Sequence, residues 1–119
     1  NIAENLGILE NKVTLLTAVG NDHFGKKLLE ETANPYLNLD YVKISKKEKT
    51  GLYIAHLDKN GELIAAISGM EIMKSIDKPY IKANKEVIKN SFLIIFDTNL
   101  NSEVIEYILQ IAKKTRLLL

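Results

Sequence analysis

The sequence contains no cysteine and no tryptophan, and it has only two prolines and two histidines. The lack of cysteine excludes disulfide bonds, thiolate catalysis and cysteine-ligated zinc sites. No apolar run approaches the roughly 20 residues that a transmembrane helix needs. Positive and negative charges nearly balance, leaving a formal net charge of +1, so a broad basic surface for nucleic acid is not expected. We therefore expect a cytoplasmic protein with neither membrane nor nucleic-acid partners.

The histidines, the run of charged residues and the glycine-containing turn do not predict a metal, nucleic-acid or phosphate site. His23 and His56 are isolated, with no Asp or Glu at metal-ligand spacing, so surface or packing roles are expected. The run SKKEK has no interleaved aromatic residues and is typical of a solvated loop. The segment GNDHFG lacks the Lys-Ser/Thr of a P-loop and the glycine spacing of dinucleotide-binding turns, so it does not predict a phosphate cradle.

What the sequence does contain is enough apolar chain for one domain. Of its 119 residues, 46% are hydrophobic and 26% are charged, which fits a globular domain with a real core. An amphipathic helix begins directly after Asn1, followed by a β-rich apolar run at residues 13–19 that predicts a strand buried on both faces. A second helix follows Gly20, with Asn21 or Asp22 as its cap and with Phe24, Leu28 and Leu29 directed inward.

The middle and the end of the sequence predict two further patterns. LDYVKIS, TGLYIAHLD and ELIAAISG read as short strands, the last two joined as a hairpin by Asn60-Gly61. We assign residues 38–69 to this antiparallel patch. A short helical stretch near DKPYIKANKEVIKN, a buried strand FLIIFD and a helix NSEVIEYILQIAKK follow, and TRLLL predicts the start of another strand. The last helix presents an apolar inner face made of Val104, Ile105, Ile108, Leu109 and Ala112.

Several polar residues stand where this α/β pattern predicts a ligand site, and each has a structural alternative. Asn1 offers an amide that suits either a helix cap or a sugar hydroxyl. Asn99 follows the FLIIFD strand, and ligands of open α/β sheets bind beyond the carboxyl ends of strands. Asp97 is expected to hold neighbouring loop amides. Thr50 and Tyr53 begin a strand of the patch, where Tyr53 either covers a ligand or packs within the sheet or a dimer.

Four stretches, in order, resemble the ribokinase-like, or PfkB, family of carbohydrate and nucleoside kinases. NIAENL is similar to the end of the first family signature, and AVGNDHFGKKLLE to the Val-Gly-x-Asp-x-Phe-Gly segment. TGLYIAHLDKNGELI resembles the entry to the lid strands and their hairpin, and FLIIFDTNL the strand that faces the sugar. Within the family, NIAENL, LLTAVGNDHFG, AAISGMEI and DTNLNSEVIEYIL are most similar to pseudouridine kinases, although Gly69 stands where some of these have Asp.

The resemblance implies a ribokinase-like α/β fold, with a parallel sheet flanked by helices and a small antiparallel β lid. Residues 1–37 and 70–119 would form two parts of the core and residues 38–69 the lid. It also implies that the sequence corresponds to the N-terminal part of such an enzyme, so the fold would be incomplete. The catalytic Asp, the phosphate-binding amides and most of the ATP site would lie outside the sequence.

The functional implication is transfer of the ATP γ-phosphate, with Mg²⁺, to the 5′-hydroxyl of a ribosyl substrate such as pseudouridine. The resemblance implies substrate contacts from Asn1, Thr50, Tyr53 and Asn99, but no catalytic, cofactor or metal-binding residue. Alternatives are a kinase of ribose or another sugar, or a non-catalytic fragment that binds or dimerises through its lid. These 119 residues alone are expected to show no kinase turnover.

Overall fold

The computed structural model describes residues 1–112. These residues form five α-helices, a 3-10 helix and six strands. None of the described helices is long and apolar enough to cross a membrane. The helices are α1 (Ile2–Ile8), α2 (His23–Thr32), α3 (Lys78–Ala83), α4 (Lys85–Asn90) and α5 (Ser102–Ala112), with the 3-10 helix at Glu71–Ser75. The strands are β1 (Val13–Thr14), β2 (Ala18–Gly20), β3 (Leu37–Asn38), β4 (Lys43–Ser45), β5 (Leu52–Leu57) and β6 (Leu63–Gly69).

The first half of the chain forms a parallel βαβ unit around α2. Strand β1 pairs in parallel with β3, and β2 pairs in parallel with β4. Parallel neighbours need a crossover connection, which α2 provides. The parallel α/β layer expected from the sequence is therefore confirmed.

The strand predicted at residues 13–19 is interrupted. Its two ends pair as predicted, but β2 alone is fully buried, and residues 15–17 separate it from β1. The partner segment has one residue more between its paired parts, since Thr14 pairs with Asn38 and Ala18 with Lys43. A turn closed by the Val42 amide on the Leu39 carbonyl (3.0 Å) takes up that residue. An unequal count of residues breaks the ladder, as in a β-bulge.

The antiparallel patch starts later than predicted. Residues 43–45, which the sequence pattern grouped with the hairpin, form β4 and pair in parallel with β2. Their alternating pattern could not identify the partner strand, because pairing is decided by distant residues. Among the described strands, β5 and β6 form the antiparallel pair, which we call the hairpin. The division of the chain at residues 37, 38, 69 and 70 stays a prediction.

The hairpin signal at Asn60-Gly61 is confirmed. Strands β5 and β6 pair antiparallel from Leu52 opposite Gly69 to Leu57 opposite Leu63. The turn is closed by the Gly61 amide on the Asp58 carbonyl (3.1 Å), and Gly61 has a φ of 84°. Glycine adopts this left-handed backbone at little cost, so the sequence marks the turn position directly.

The core lies between β2 and the helices of the second half. A cluster of buried aliphatic side chains joins the 3-10 helix, α3, α4 and α5 to β2, and consists of Ala18, Ile72, Ile76, Ile81, Ile88, Val104 and Ile108. The predicted inner face of α5 is confirmed, with Val104, Ile108 and Ala112 buried. The 3-10 helix was not predicted, because five residues are too few for a helical period to emerge.

Two predictions about apolar segments are wrong in the described part of the chain. FLIIFD forms no strand: it contributes a single bridge at Ile94, and Phe92 is 78% exposed. On α2, the predicted inward residue Phe24 is 63% exposed, and Leu28 is exposed as well. Periodicity and hydrophobicity identify a face, but an opposing element must be present to bury it. The strand start predicted in TRLLL lies outside the described residues.

Candidate functional site

The candidate site lies where β2 and β4 end. Gly20 and Ser45 are the last residues of these parallel strands, and the Asn21 amide donates to the Ser45 carbonyl at 2.8 Å. Asp22 and Thr50 follow within a few residues, at the start of α2 and just before β5. Open α/β sheets bind their ligands at this carboxyl edge. The start of the hairpin therefore lies beside the part of the core where a ligand is expected.

Asp22 organises this edge. Its Oδ1 accepts from the Gly25 amide at 2.9 Å, which caps α2 as the sequence predicted. Its Oδ2 accepts from the Thr50 amide at 2.8 Å, and its Oδ1 also accepts from the Thr50 hydroxyl at 2.7 Å. The Thr50 amide, followed by the Gly25 amide and the Thr50 hydroxyl, lowers the pKa of the Asp22 carboxyl from 3.8 to about 2. These bonds favour the charged form of Asp22, as expected for a carboxylate that orders a helix start and a loop.

Thr50 links three parts of the fold. Besides its two bonds to Asp22, its Oγ1 accepts from the Gly20 amide at 2.9 Å. This ties the residue before the hairpin to the end of β2 and to the start of α2. Sequence reasoning proposed Thr50 as a substrate contact and missed this link. No local sequence pattern predicts this contact, because Asp22 and Thr50 lie 28 positions apart. The substrate role of Thr50 stays a prediction.

Gly25 is required here by close packing. A Cβ at this position would collide with the Gly20 carbonyl and would lie 2.8 Å from Thr50 Oγ1. The first contact is with backbone, which cannot rotate away. The glycine in the Phe-Gly pair of the sequence motif is therefore explained by the approach of α2 to the β2 terminus.

Asn1 and Asn99 both present unengaged amides within the described part of the chain. Asn1 occupies the capping position of α1, but its side chain makes no capping hydrogen bond, so its interpretation as a side-chain cap is wrong. Asn99 is exposed in a turn, where its backbone amide donates to Asp97 Oδ1 at 2.7 Å. Asp97 thus orders its loop, as expected. Neither asparagine side chain hydrogen-bonds to another residue among 1–112.

Tyr53 stands on the hairpin, one residue beyond its first rung. It pairs with Ser68 across the antiparallel ladder and is 56% exposed. On its face of β5 lie Ala55 and Leu57, which are also exposed. Packing within the sheet, one of the two interpretations from sequence, therefore does not bury this ring against residues 1–112.

A shallow groove of about 420 Å³ occupies the opposite end of the strand pair. It is lined by Lys12, Val13, Thr14, Pro35, Tyr36, Leu37 and Asn38. Its position at the start of β1 and β3 differs from the carboxyl edge that α/β folds use for ligands. Residues 1–112 contain no group of three or more His, Cys, Asp or Glu side chains placed to hold a metal ion.

The low pKa of Asp22 predicts an acid-dependent loss of stability. Because the folded-state pKa of about 2 lies below the ordinary 3.8, the stabilisation is fully present above pH 3.8 and is lost as the pH falls through about 2. In urea unfolding between pH 5 and pH 2, the difference in the free energy of unfolding between wild type and Asp22→Asn should become smaller as the pH falls. In the wild type, the ¹³C chemical shift of the Asp22 carboxyl should titrate with a midpoint below pH 3.8. A gap that stays constant across this range would contradict the assignment.

Comparison with known proteins identifies the family to which the sequence is similar. The family model of pfkB family carbohydrate kinases matches residues 1–117. The chain is 38% identical over 112 residues to a pseudouridine kinase of Escherichia coli strain K12, covering 94% of this chain and 36% of that protein. It is 26% identical over 117 residues to a guanosine-inosine kinase of Exiguobacterium acetylicum, covering 98% of this chain and 39% of that protein.

A solved carbohydrate kinase from Agrobacterium tumefaciens shares the fold. It superposes with a TM-score of 0.80 at 24% identity, and the match covers 97% of this chain and 38% of that one. The chain thus spans little more than a third of the length of these relatives. Both the sequence resemblance and the ribokinase-like α/β architecture are confirmed. Because the family model spans nearly the whole sequence, the chain belongs to the pfkB family of carbohydrate kinases.

Proposed function

We propose that the protein containing this chain transfers the ATP γ-phosphate to the 5′-hydroxyl of a ribosyl substrate, with pseudouridine as the first candidate. The observation that carries the proposal is the 38% identity to a pseudouridine kinase across 94% of the chain. The match of residues 1–117 to the family of carbohydrate kinases supports it. The guanosine-inosine kinase relative supports a nucleoside as the substrate class.

Within this proposal the described residues bind the sugar. The amides of Asn1 and Asn99 are exposed and make no side-chain hydrogen bond to residues 1–112, so each can donate to and accept from a sugar hydroxyl. Tyr53 projects from the hairpin with its ring uncovered, which suits stacking over the sugar or base. Thr50, held by Asp22, sets the position from which the hairpin starts.

Phosphoryl transfer depends chiefly on positioning and on stabilising charge. In the proposed enzyme, this chain orients the substrate hydroxyl, while the hairpin excludes water from the reacting groups. The sequence resemblance assigns the base, the phosphate-binding amides and the ATP site to residues outside this sequence. ATP, with Mg²⁺, supplies the transferred phosphoryl group, and no described residue is assigned to hold either.

Asn99→Ala tests both the substrate and the site. ATP consumption by the protein that contains this chain should respond to pseudouridine more than to uridine or ribose. Asn99→Ala should lower kcat/KM for the sugar about tenfold, since a lost hydrogen bond of about 1.4 kcal/mol corresponds to that factor. A coupled spectrophotometric assay of ATP consumption measures both effects, and the 119 residues alone should give no turnover.

The matched control is Asn90→Ala, another exposed asparagine, at the end of α4. It should leave kcat/KM unchanged. A response to ribose without one to pseudouridine would favour the alternative of a sugar kinase. Equal activity in Asn99→Ala and wild type would remove Asn99 from the proposed site.

A second proposal is association through the hairpin. Every residue of β5 is exposed, and the exposed apolar side chains of the hairpin are Leu52, Tyr53, Ile54, Leu57, Leu63, Ile64 and Ile67. A two-stranded sheet with free edges can pair with a second copy of itself. This favours a homodimer through the hairpin, with or without catalysis.

A further inference from the structure

The hairpin turn contains a pair of residues with covalent chemistry of its own. Asn60-Gly61 is the one place in the sequence where glycine follows asparagine, and both residues are exposed. Asparagine is chemically labile, because the backbone nitrogen of the next residue can attack the side-chain amide carbon, expel ammonia and close a cyclic imide. The turn, described so far as a structural element, is therefore also a candidate for covalent modification.

Ring closure at Asn60 meets no steric obstacle. The attack brings the Gly61 nitrogen to Asn60 Cγ, and a side chain on the attacking residue would crowd that approach. Gly61 has no side chain, and a Cβ built there would meet no atom within 4 Å beyond its chain neighbours. Its φ of 84° is not a fixed requirement, since glycine adopts both signs of φ about equally well. The backbone can therefore rotate into the imide without displacing a packed group.

The hydrogen bonds on the two reacting groups are longer than the other bonds of the turn. The Gly61 amide donates to the Asp58 carbonyl at 3.1 Å, and Asn60 Nδ2 donates to Asp58 Oδ2 at 3.2 Å. By contrast, Asp58 Oδ1 accepts from the amides of Asn60 and Glu62 at 2.8 Å each. Exposed hydrogen bonds exchange for bonds to water at a small net cost. The attacking nitrogen and the leaving amide are thus held less firmly than the rest of the turn.

Two other asparagines precede a small residue, and both are less suited to this reaction. Asn90 and Asn101 are each followed by serine, whose side chain stands beside the attacking nitrogen. Asn101 Oδ1 accepts from the Glu103 amide at 3.1 Å at the start of α5. Asn90 is the last residue of α4, and the Ser91 amide donates to the Ile88 carbonyl at 3.3 Å. These two sites therefore serve as internal controls for Asn60.

We propose that Asn60 is a site of spontaneous deamidation, which converts the hairpin turn into an isoaspartyl or aspartyl form as the protein ages. First, the bond from the Gly61 nitrogen to Asn60 Cγ forms and the bond from Cγ to Nδ2 breaks, and the Gly61 amide proton leaves, through solvent, with the ammonia. Water then opens the imide. Cleavage of its bond to Cγ gives aspartate, and cleavage of its bond to the backbone carbonyl carbon gives isoaspartate. No atom is oxidised or reduced.

The product alters the turn in both charge and length. Nδ2 of Asn60, a donor to Asp58, is lost, and a second carboxylate stands near that of Asp58, so the two repel each other. The bonds from Glu62 and Asn60 lower the pKa of Asp58, which should therefore rise on deamidation. In the isoaspartyl form the main chain also gains a carbon atom, so the Asp58 amide and the Glu62 carbonyl, 2.8 Å apart, lose their register.

Peptide mapping by mass spectrometry measures the reaction at each asparagine. The purified protein is aged at mildly alkaline pH, where the attacking nitrogen loses its proton more readily, and is digested at acid pH, where ring closure is slow. Asn60 should deamidate at least about tenfold faster than Asn90 and Asn101, because glycine leaves the attacking nitrogen uncrowded. Protein isoaspartyl methyltransferase, supplied with a labelled methyl donor, should label the aged protein at residue 60.

Two variants make the result specific to this turn. Asn60→Gln keeps the amide but needs a larger ring for the same attack, so methyl incorporation should fall to the level of unaged protein. Asn60→Asp supplies the charge of the product, and the ¹³C shift of the Asp58 carboxyl should titrate at higher pH in this variant than in the wild type.

The comparison among asparagines uses the wild type alone and needs no variant to fold. An Asn60 that reacts no faster than Asn90 and Asn101 would overturn the proposal. Methyl incorporation that persists in Asn60→Gln would also overturn it, since the isoaspartate would then lie elsewhere. Neither sugar nor nucleotide is present in the experiment, so its failure is distinct from failure of the proposed function.

Discussion

Replacing Ile72 with alanine is expected to lower the free energy of unfolding by about 2–5 kcal/mol. Ile72 is 2% exposed, and it is the largest side chain that is fully buried in the described part of the chain. It brings the 3-10 helix into the core cluster with Ala18 of β2 and with Ile108 of α5. Removing three methyl or methylene groups loses their transfer free energy and leaves a cavity that packed neighbours fill only in part.

Urea unfolding followed by circular dichroism measures this effect, and Ile54→Ala is its control. Ile54 has the same side chain but is 51% exposed on the hairpin, so its replacement should change the free energy of unfolding by less than about 1 kcal/mol. Similar losses in the two variants would mean that the hairpin is covered in solution as completely as the core is.

Gly25→Ala is expected to lower the free energy of unfolding by about 1–3 kcal/mol. The added methyl group would press against the Gly20 carbonyl and against Thr50 Oγ1. To admit it, α2 must move away from the end of β2, which would stretch the bonds between Thr50 and Asp22, the cap of α2. The same methyl group thus introduces strain and weakens the hydrogen-bond network of the candidate site.

The control for this variant is Gly69→Ala, where the nearest atoms to a new Cβ are Glu71 Oε2 at 3.8 Å and the Leu52 carbonyl at 4.0 Å. Ordinary van der Waals contacts of this kind should leave the urea midpoint nearly unchanged. If Gly25→Ala unfolds at the wild-type urea concentration, the close approach of α2 to β2 is not rigid. Amide hydrogen exchange at Gly20 would then show whether its bond to Thr50 survives.

Features encoded in neighbouring residues were predictable from the sequence. The periodic apolar face of α5, the Asp22 cap of α2 and the Asn60-Gly61 turn each depend on residues a few positions apart. Helical period, capping chemistry and turn chemistry are local signals. These elements therefore appeared where their patterns indicated.

Features decided by distant partners were not predictable. The strand at β4 was grouped with the hairpin, although its partner is β2, and FLIIFD was called a strand on hydrophobicity alone. In the candidate site, the exposed amides of Asn1 and Asn99 were proposed from motif positions, whereas the link between Asp22 and Thr50 went unseen. Side-chain contacts across 28 positions leave no periodic trace in one sequence.

The length of the hairpin makes it a lever. Strand β5 has six residues, which at ~3.3 Å per residue place its tip about 20 Å from the base. A rotation of about 10° about the base would carry the tip about 3.5 Å, whereas Tyr53, only about 7 Å from the base, would move about 1 Å. Any tilt of the hairpin about its base therefore displaces the turn residues about three times as far as it displaces the aromatic ring.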